Sequence, residues 1–81
     1  MKKKYLINLN EIENIKNFVK DISQYEFSIN VVSKDRSIEY DAKSIMALLS
    51  LDLSQPVYVI INSNINDNQI KLFEETIRKY E

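Results

Sequence analysis

With 81 residues, the chain is too short to divide its apolar residues between two cores, so one domain spanning residues 1–81 is expected. Eleven basic against twelve acidic residues leave a formal charge of −1, which argues against a nucleic-acid module. The sequence has no cysteine, no histidine and no glycine. A disulfide framework, a thiolate metal site, a histidine base and glycine-rich phosphate loops are thereby excluded.

Forty-four per cent hydrophobic residues suit an ordinary globular core. No run approaches the roughly 18 to 20 apolar residues of a membrane span, and a cytoplasmic protein with no membrane association is expected. Lys2-Lys3-Lys4 is the only basic run. It reads as a solvated N-terminal segment, with an electrostatic handle for an acidic partner as the functional alternative.

Tyr5, Ile7 and Leu9 alternate with Leu6 and Asn8, the period of a strand. Asn10 followed by Glu13 has the spacing of a capping box. Ile12, Ile15, Phe18, Val19, Ile22 and Tyr25 recur at three and four residues, which predicts a helix from about Glu11 to Tyr25. Phe27, Ile29 and Val31 mark a second strand. Ser33 to Arg36 is polar enough to turn the chain, and Ser37 to Tyr40 supplies a short third strand with Ile38 and Tyr40 inward.

A short helix from about Ile45 to Leu51 has Ser44 at its start as a cap. Asp52 to Pro56 forms a loop, Pro56 marking the entry to a strand. Val57 to Ile61 is apolar on both parities, as in a central strand covered along much of its length. After Asn62 to Asn66 a last helix, Asp67 to Tyr80, carries Ile70, Phe73, Ile77 and Tyr80 on one side and a Glu74–Arg78 pair on the other. Four strands and three amphipathic helices in the order βαββαβα pack most economically as an α+β, two-layer open-faced sandwich, a four-stranded antiparallel sheet with its helices on one face.

The segment Ala42-Lys43-Ser44-Ile45-Met46, followed by Leu48-Leu49-Ser50-Leu51, resembles the second-helix segment of HPr, the phosphocarrier protein of the sugar phosphotransferase system. Family members read alanine, lysine, serine, isoleucine, methionine, then an apolar turn ending in serine, leucine and glycine; Asp52 stands where the glycine would be. The resemblance implies the same order of elements, with the fourth strand between the first and second.

It also implies what this chain lacks. HPr proteins carry phosphate on a histidine at the start of the first helix, supported by an arginine. The missing histidine aligns with Asn10 or Glu11, and Glu11 and Glu13 would repel a phosphoryl group. They read as first-turn carboxylates that stabilise the helix, or alternatively as a constitutive mimic of the phosphorylated state. Histidine phosphocarrier activity is excluded chemically, and no enzyme activity, cofactor or metal is expected.

Ser44 corresponds to the serine that a dedicated HPr kinase phosphorylates in Gram-positive HPr proteins. By the same resemblance, Lys43, Ile45, Met46 and Leu49 would border a partner-binding face for that kinase or for a transcriptional regulator. The simpler reading is that Ser44 only caps the helix. Three functions follow: a regulatory or protein-interaction role through the Ser44 face; a structural domain with the HPr fold alone, homodimerising through an open sheet face lined by Leu6, Val32 and Tyr58 or Ile60; and a small-molecule sensor, for which no polar constellation speaks.

Overall fold

The computed structural model describes residues 2–33 and 38–81. The expected turn through Lys34, Asp35 and Arg36, and Ser37 at the start of the third strand, lie outside the described residues. The elements are β1 (Lys2–Ile7), α1 (Ile12–Ile22), β2 (Asn30–Val32), β3 (Glu39–Asp41), α2 (Ile45–Leu49), β4 (Val57–Asn62) and α3 (Asp67–Ile77), closed by a 3-10 turn over Arg78–Tyr80. The four strands form one antiparallel sheet in the order β1-β4-β2-β3. Its architecture is the expected α+β open-faced sandwich.

The apolar run of β4 earns its central place. Val57, Val59 and Ile61 point to the helix layer and are buried, whereas Tyr58 and Ile60 point to the opposite face and are half-buried. Register puts Ile7 beside Val57, and Tyr5 and Val31 on either side of Val59, so three strands contribute to one inner surface. Against it α1 lays Ile15, Phe18 and Ile22, and α3 lays Ile70, Phe73 and Ile77. Each of these side chains stabilises the fold by roughly 1.5–3 kcal/mol through burial. Phe73 is the hub of an aromatic group, its ring edge-on to Tyr5, Tyr25 and Phe27 at 5.7, 5.7 and 5.8 Å.

The C-terminal turn closes the domain. Tyr80 packs edge-on to Phe18 with centroids 5.4 Å apart, accepts the Asn8 amide on its carbonyl at 2.7 Å, and donates its hydroxyl to Asp21 at 2.7 Å. Asp21 also meets Lys79 at 3.4 Å.

Local expectations are corrected at several points. The N-cap of α1 is Glu11, whose side chain makes no capping bond, so the expected Asn10 capping box does not form. Leu9 is fully buried and Asn8 is held by Tyr80, so the long-range docking of this segment fixes where the helix begins. Ile12, placed in the apolar stripe by its spacing, is 62% exposed because it precedes the first turn that meets the sheet. Tyr25 lies beyond the end of α1 yet is buried. Ile38, expected inward, is 55% exposed at the short edge strand β3. Glu74, expected to face Arg78, accepts the Tyr5 hydroxyl at 2.7 Å.

Candidate functional site

The site that the sequence singles out is the corner where the chain leaves β3 and enters α2. Asp41 organises it: its carboxylate accepts the Lys43 amide at 2.9 Å, and its carbonyl accepts the Ser44 amide at 3.1 Å. Such self-bonding is the usual means by which aspartate turns a chain that has no glycine. Ala42 is buried and donates its amide to the Ile29 carbonyl at 2.9 Å, anchoring the corner to the strand region beside it.

Ser44 is the N-cap of α2, with extended backbone angles, and its hydroxyl oxygen accepts the Ala47 amide at 3.3 Å. The expected cap is therefore present. The serine is half-buried. Within the helix the side chains divide by depth. Leu48 is buried in the core and Ile45 is half-buried against it, while Met46 and Leu49 turn outward, 76% and 50% exposed. Leaving two large apolar side chains beside a capping serine gains the fold little, since their burial energy is largely unrealised.

Lys43 is placed differently from its neighbours. Its side chain crosses to the segment that follows α1, where the ammonium donates to the carbonyl oxygens of Tyr25 and, at 2.9 Å, Phe27. This cation ties α2 to the scaffold. The contacts span 18 and 16 residues of sequence, and no local pattern announces them. Beyond the helix, Ser50 caps it by donating to the Ala47 carbonyl at 2.6 Å. Asp52, at the position of the expected family glycine, accepts the Ser54 hydroxyl and amide at 2.6 and 3.1 Å. Those two bonds hold its carboxyl below the usual range, the hydroxyl having the larger effect.

The start of α1 lies in the same helix layer. Asn10, Glu11, Ile12 and Glu13 are all exposed, and Glu13 lies in the first turn. Asn10 and Glu11, near which the resemblance leads one to expect a histidine, thus occupy an accessible corner furnished with carboxylates. Among the described residues, no group of three His, Cys, Asp or Glu side chains is arranged to hold a metal ion, and no helix is long and apolar enough to cross a membrane.

A crystal structure of the phosphocarrier protein HPr from Bacillus anthracis str. Ames superposes on the whole of this chain and on 96% of that protein, with a TM-score of 0.70 and 15% sequence identity. The fold is that of HPr. No family model matches the sequence, and comparison with curated proteins finds no match. At this identity the likeness establishes the HPr fold and leaves activity to the residues. The chain keeps the HPr architecture while having no histidine to phosphorylate.

Proposed function

We propose that this chain is a protein of the HPr family that has lost the phosphohistidine relay and acts as a regulatory or protein-interaction module through the α2 face, with phosphorylation of Ser44 as its switch. The observation that carries the reading is the pairing of the capping serine with Met46 and Leu49, large apolar side chains that the fold leaves in solvent. A phosphate on Ser44 would place about two negative charges at the edge of that apolar surface, enough to change which partner it accepts. Lys43 is engaged with the Tyr25 and Phe27 carbonyls, so its role here is to hold the face in position. The carboxylates of Glu11 and Glu13 and the absence of histidine speak against phosphate transfer at the α1 corner.

The test is intact mass after incubation with an HPr kinase and ATP, run beside Ser44→Ala. A gain of one phosphate that the alanine variant abolishes supports the switch. An unmodified, folded wild-type sample would leave Ser44 as a helix cap and remove the regulatory reading. A parallel pull-down with Met46→Asp tests the interaction surface, and a partner retained at full affinity by that variant would place the interface elsewhere.

A further inference from the structure

The sheet has a second face, turned away from the helices. Strand alternation and register put Lys2, Lys4 and Leu6 of β1, Tyr58, Ile60 and Asn62 of β4, Asn30 and Val32 of β2, and Glu39 and Asp41 of β3 on it. Leu6 is 44% exposed, and Tyr58 and Ile60 are half-buried. Val32 is buried but stands outside the main core cluster. Among the described residues, the charges on this face are segregated by edge. One outer strand contributes two lysines, Lys4 standing 5.6 Å over the Tyr58 ring; the other contributes Glu39 and Asp41. Between the edges runs a shallow groove of about 90 Å³, bordered by Lys2, Ser28, Asn30, Glu39, Ile60 and Asn62.

This distribution is complementary to itself in one arrangement. When two copies meet face to face about a two-fold axis parallel to the strands, the β1 edge of each lies over the β3 edge of the other, lysines meet carboxylates, and Leu6, Tyr58 and Ile60 are enclosed. An axis perpendicular to the strands within the same plane would set lysine over lysine and carboxylate over carboxylate. The usual inclination of about 30° between packed sheets keeps the axis within about 15° of the strands, so charge matching and sheet packing select the same geometry. A net charge of −1 offers little long-range repulsion between copies. We infer that this uncovered sheet face binds a second copy of the same chain, forming a two-fold dimer held in register by Lys2 and Lys4 of one copy against Glu39 and Asp41 of the other.

Three apolar side chains on a four-stranded face fall short of the roughly 800 Å² per partner of a standard stable interface. The dimer is accordingly weak, and the ionic edges set its geometry and its salt dependence. The Ser44 side chain takes no part in it, although Asp41 serves both the dimer edge and the corner that leads into α2.

Sedimentation equilibrium at low salt, over about two decades of concentration reaching about 1 mM, is the test. The average mass is expected to rise toward twice that of the monomer, and raising salt to about 0.5 M to weaken association roughly three- to tenfold. The register sets Lys4 level with Asp41, so Lys4→Glu and Asp41→Lys, both exposed positions, should each weaken it to a similar degree, and the combined charge swap should restore it. Circular dichroism verifies that each variant is folded. A chain that stays monomeric at every concentration, a dimer indifferent to salt and to both substitutions, or a combined variant that fails to recover would overturn the inference.

Discussion

Replacing Lys43 with methionine removes a cation while keeping a side chain of similar length, and isolates what the ammonium does. In the native protein it donates to two backbone carbonyls, those of Tyr25 and Phe27, in the segment between α1 and β2. Hydrogen bonds to a charged group each contribute about 1.5–3 kcal/mol when measured alone. These two share one donor, their sum is not additive, and water can reach the carbonyls once the segment relaxes, so the expected loss is about 2 kcal/mol. For a domain of this size that lowers the melting temperature by roughly 8–16 °C. The urea midpoint should fall by about 1–2 M with an unchanged slope. The assay is far-UV circular dichroism against temperature and against urea, with Ser44→Ala as the comparison. Losing a single, rather long cap bond should cost that variant only about 0.5–1 kcal/mol. A Lys43→Met protein that melts within about 2 °C of the wild type would refute the anchoring role and return Lys43 to the surface as a free cation.

Two further outcomes follow from burial and from titration. Ile12→Ser should change stability by less than about 0.5 kcal/mol, whereas Ile15→Ala, one turn on, should cost about 2–5 kcal/mol; equal effects in urea titrations would contradict the start of α1 described above. Desolvation first, and then the Glu74 and Asp21 carboxylates that accept their hydroxyls, push the phenols of Tyr5 and Tyr80 well above their ordinary value near 10. The bonds therefore contribute fully below about pH 10, and their stabilisation is lost as pH rises beyond it, since the unfolded chain gives up those protons first. Urea midpoints should fall as pH rises above about 10 in the wild type and more gently in a Tyr5→Phe, Tyr80→Phe variant; parallel curves would count against the pairing.

Much of the architecture is legible because it rests on local periodicity. The doubly apolar run Val57 to Ile61 signals a central strand, and β4 is central. The spacing of Ile70, Phe73, Ile77 and Tyr80 signals a buried stripe, and all four are buried. Ser44 signals a cap and makes one. What stays hidden depends on partners distant in sequence. Asn10 has the chemistry of a cap, but the grip of Tyr80 on Asn8 and the burial of Leu9 set the helix entry one residue later. The second strand was expected from Phe27 onward and begins at Asn30. The carbonyl of Phe27 is taken by Lys43, and the register of β2 with β3 runs on only as far as the bond from the Ala42 amide to the Ile29 carbonyl. At the candidate site, residue types reveal the serine and the apolar neighbours, whereas the outward turn of Met46 and Leu49 and the inward reach of Lys43 come only with the three-dimensional arrangement.

The pairing of β1 with β4 has a consequence for how the protein is made. During synthesis the first strand emerges while its partner is still separated from it by two helices and a hairpin's length of chain. For that interval β1 is an extended segment with unpaired amides and carbonyls, the kind of surface on which nascent chains stick to one another. Half of its six residues are lysine, and they come first. Mutual repulsion between those ammonium groups keeps waiting strands apart without preventing the later pairing, because Lys2, Lys3 and Lys4 lie opposite Asn62, Ile61 and Ile60, none of which is charged. The segment thus acts as its own guard until the fourth strand arrives.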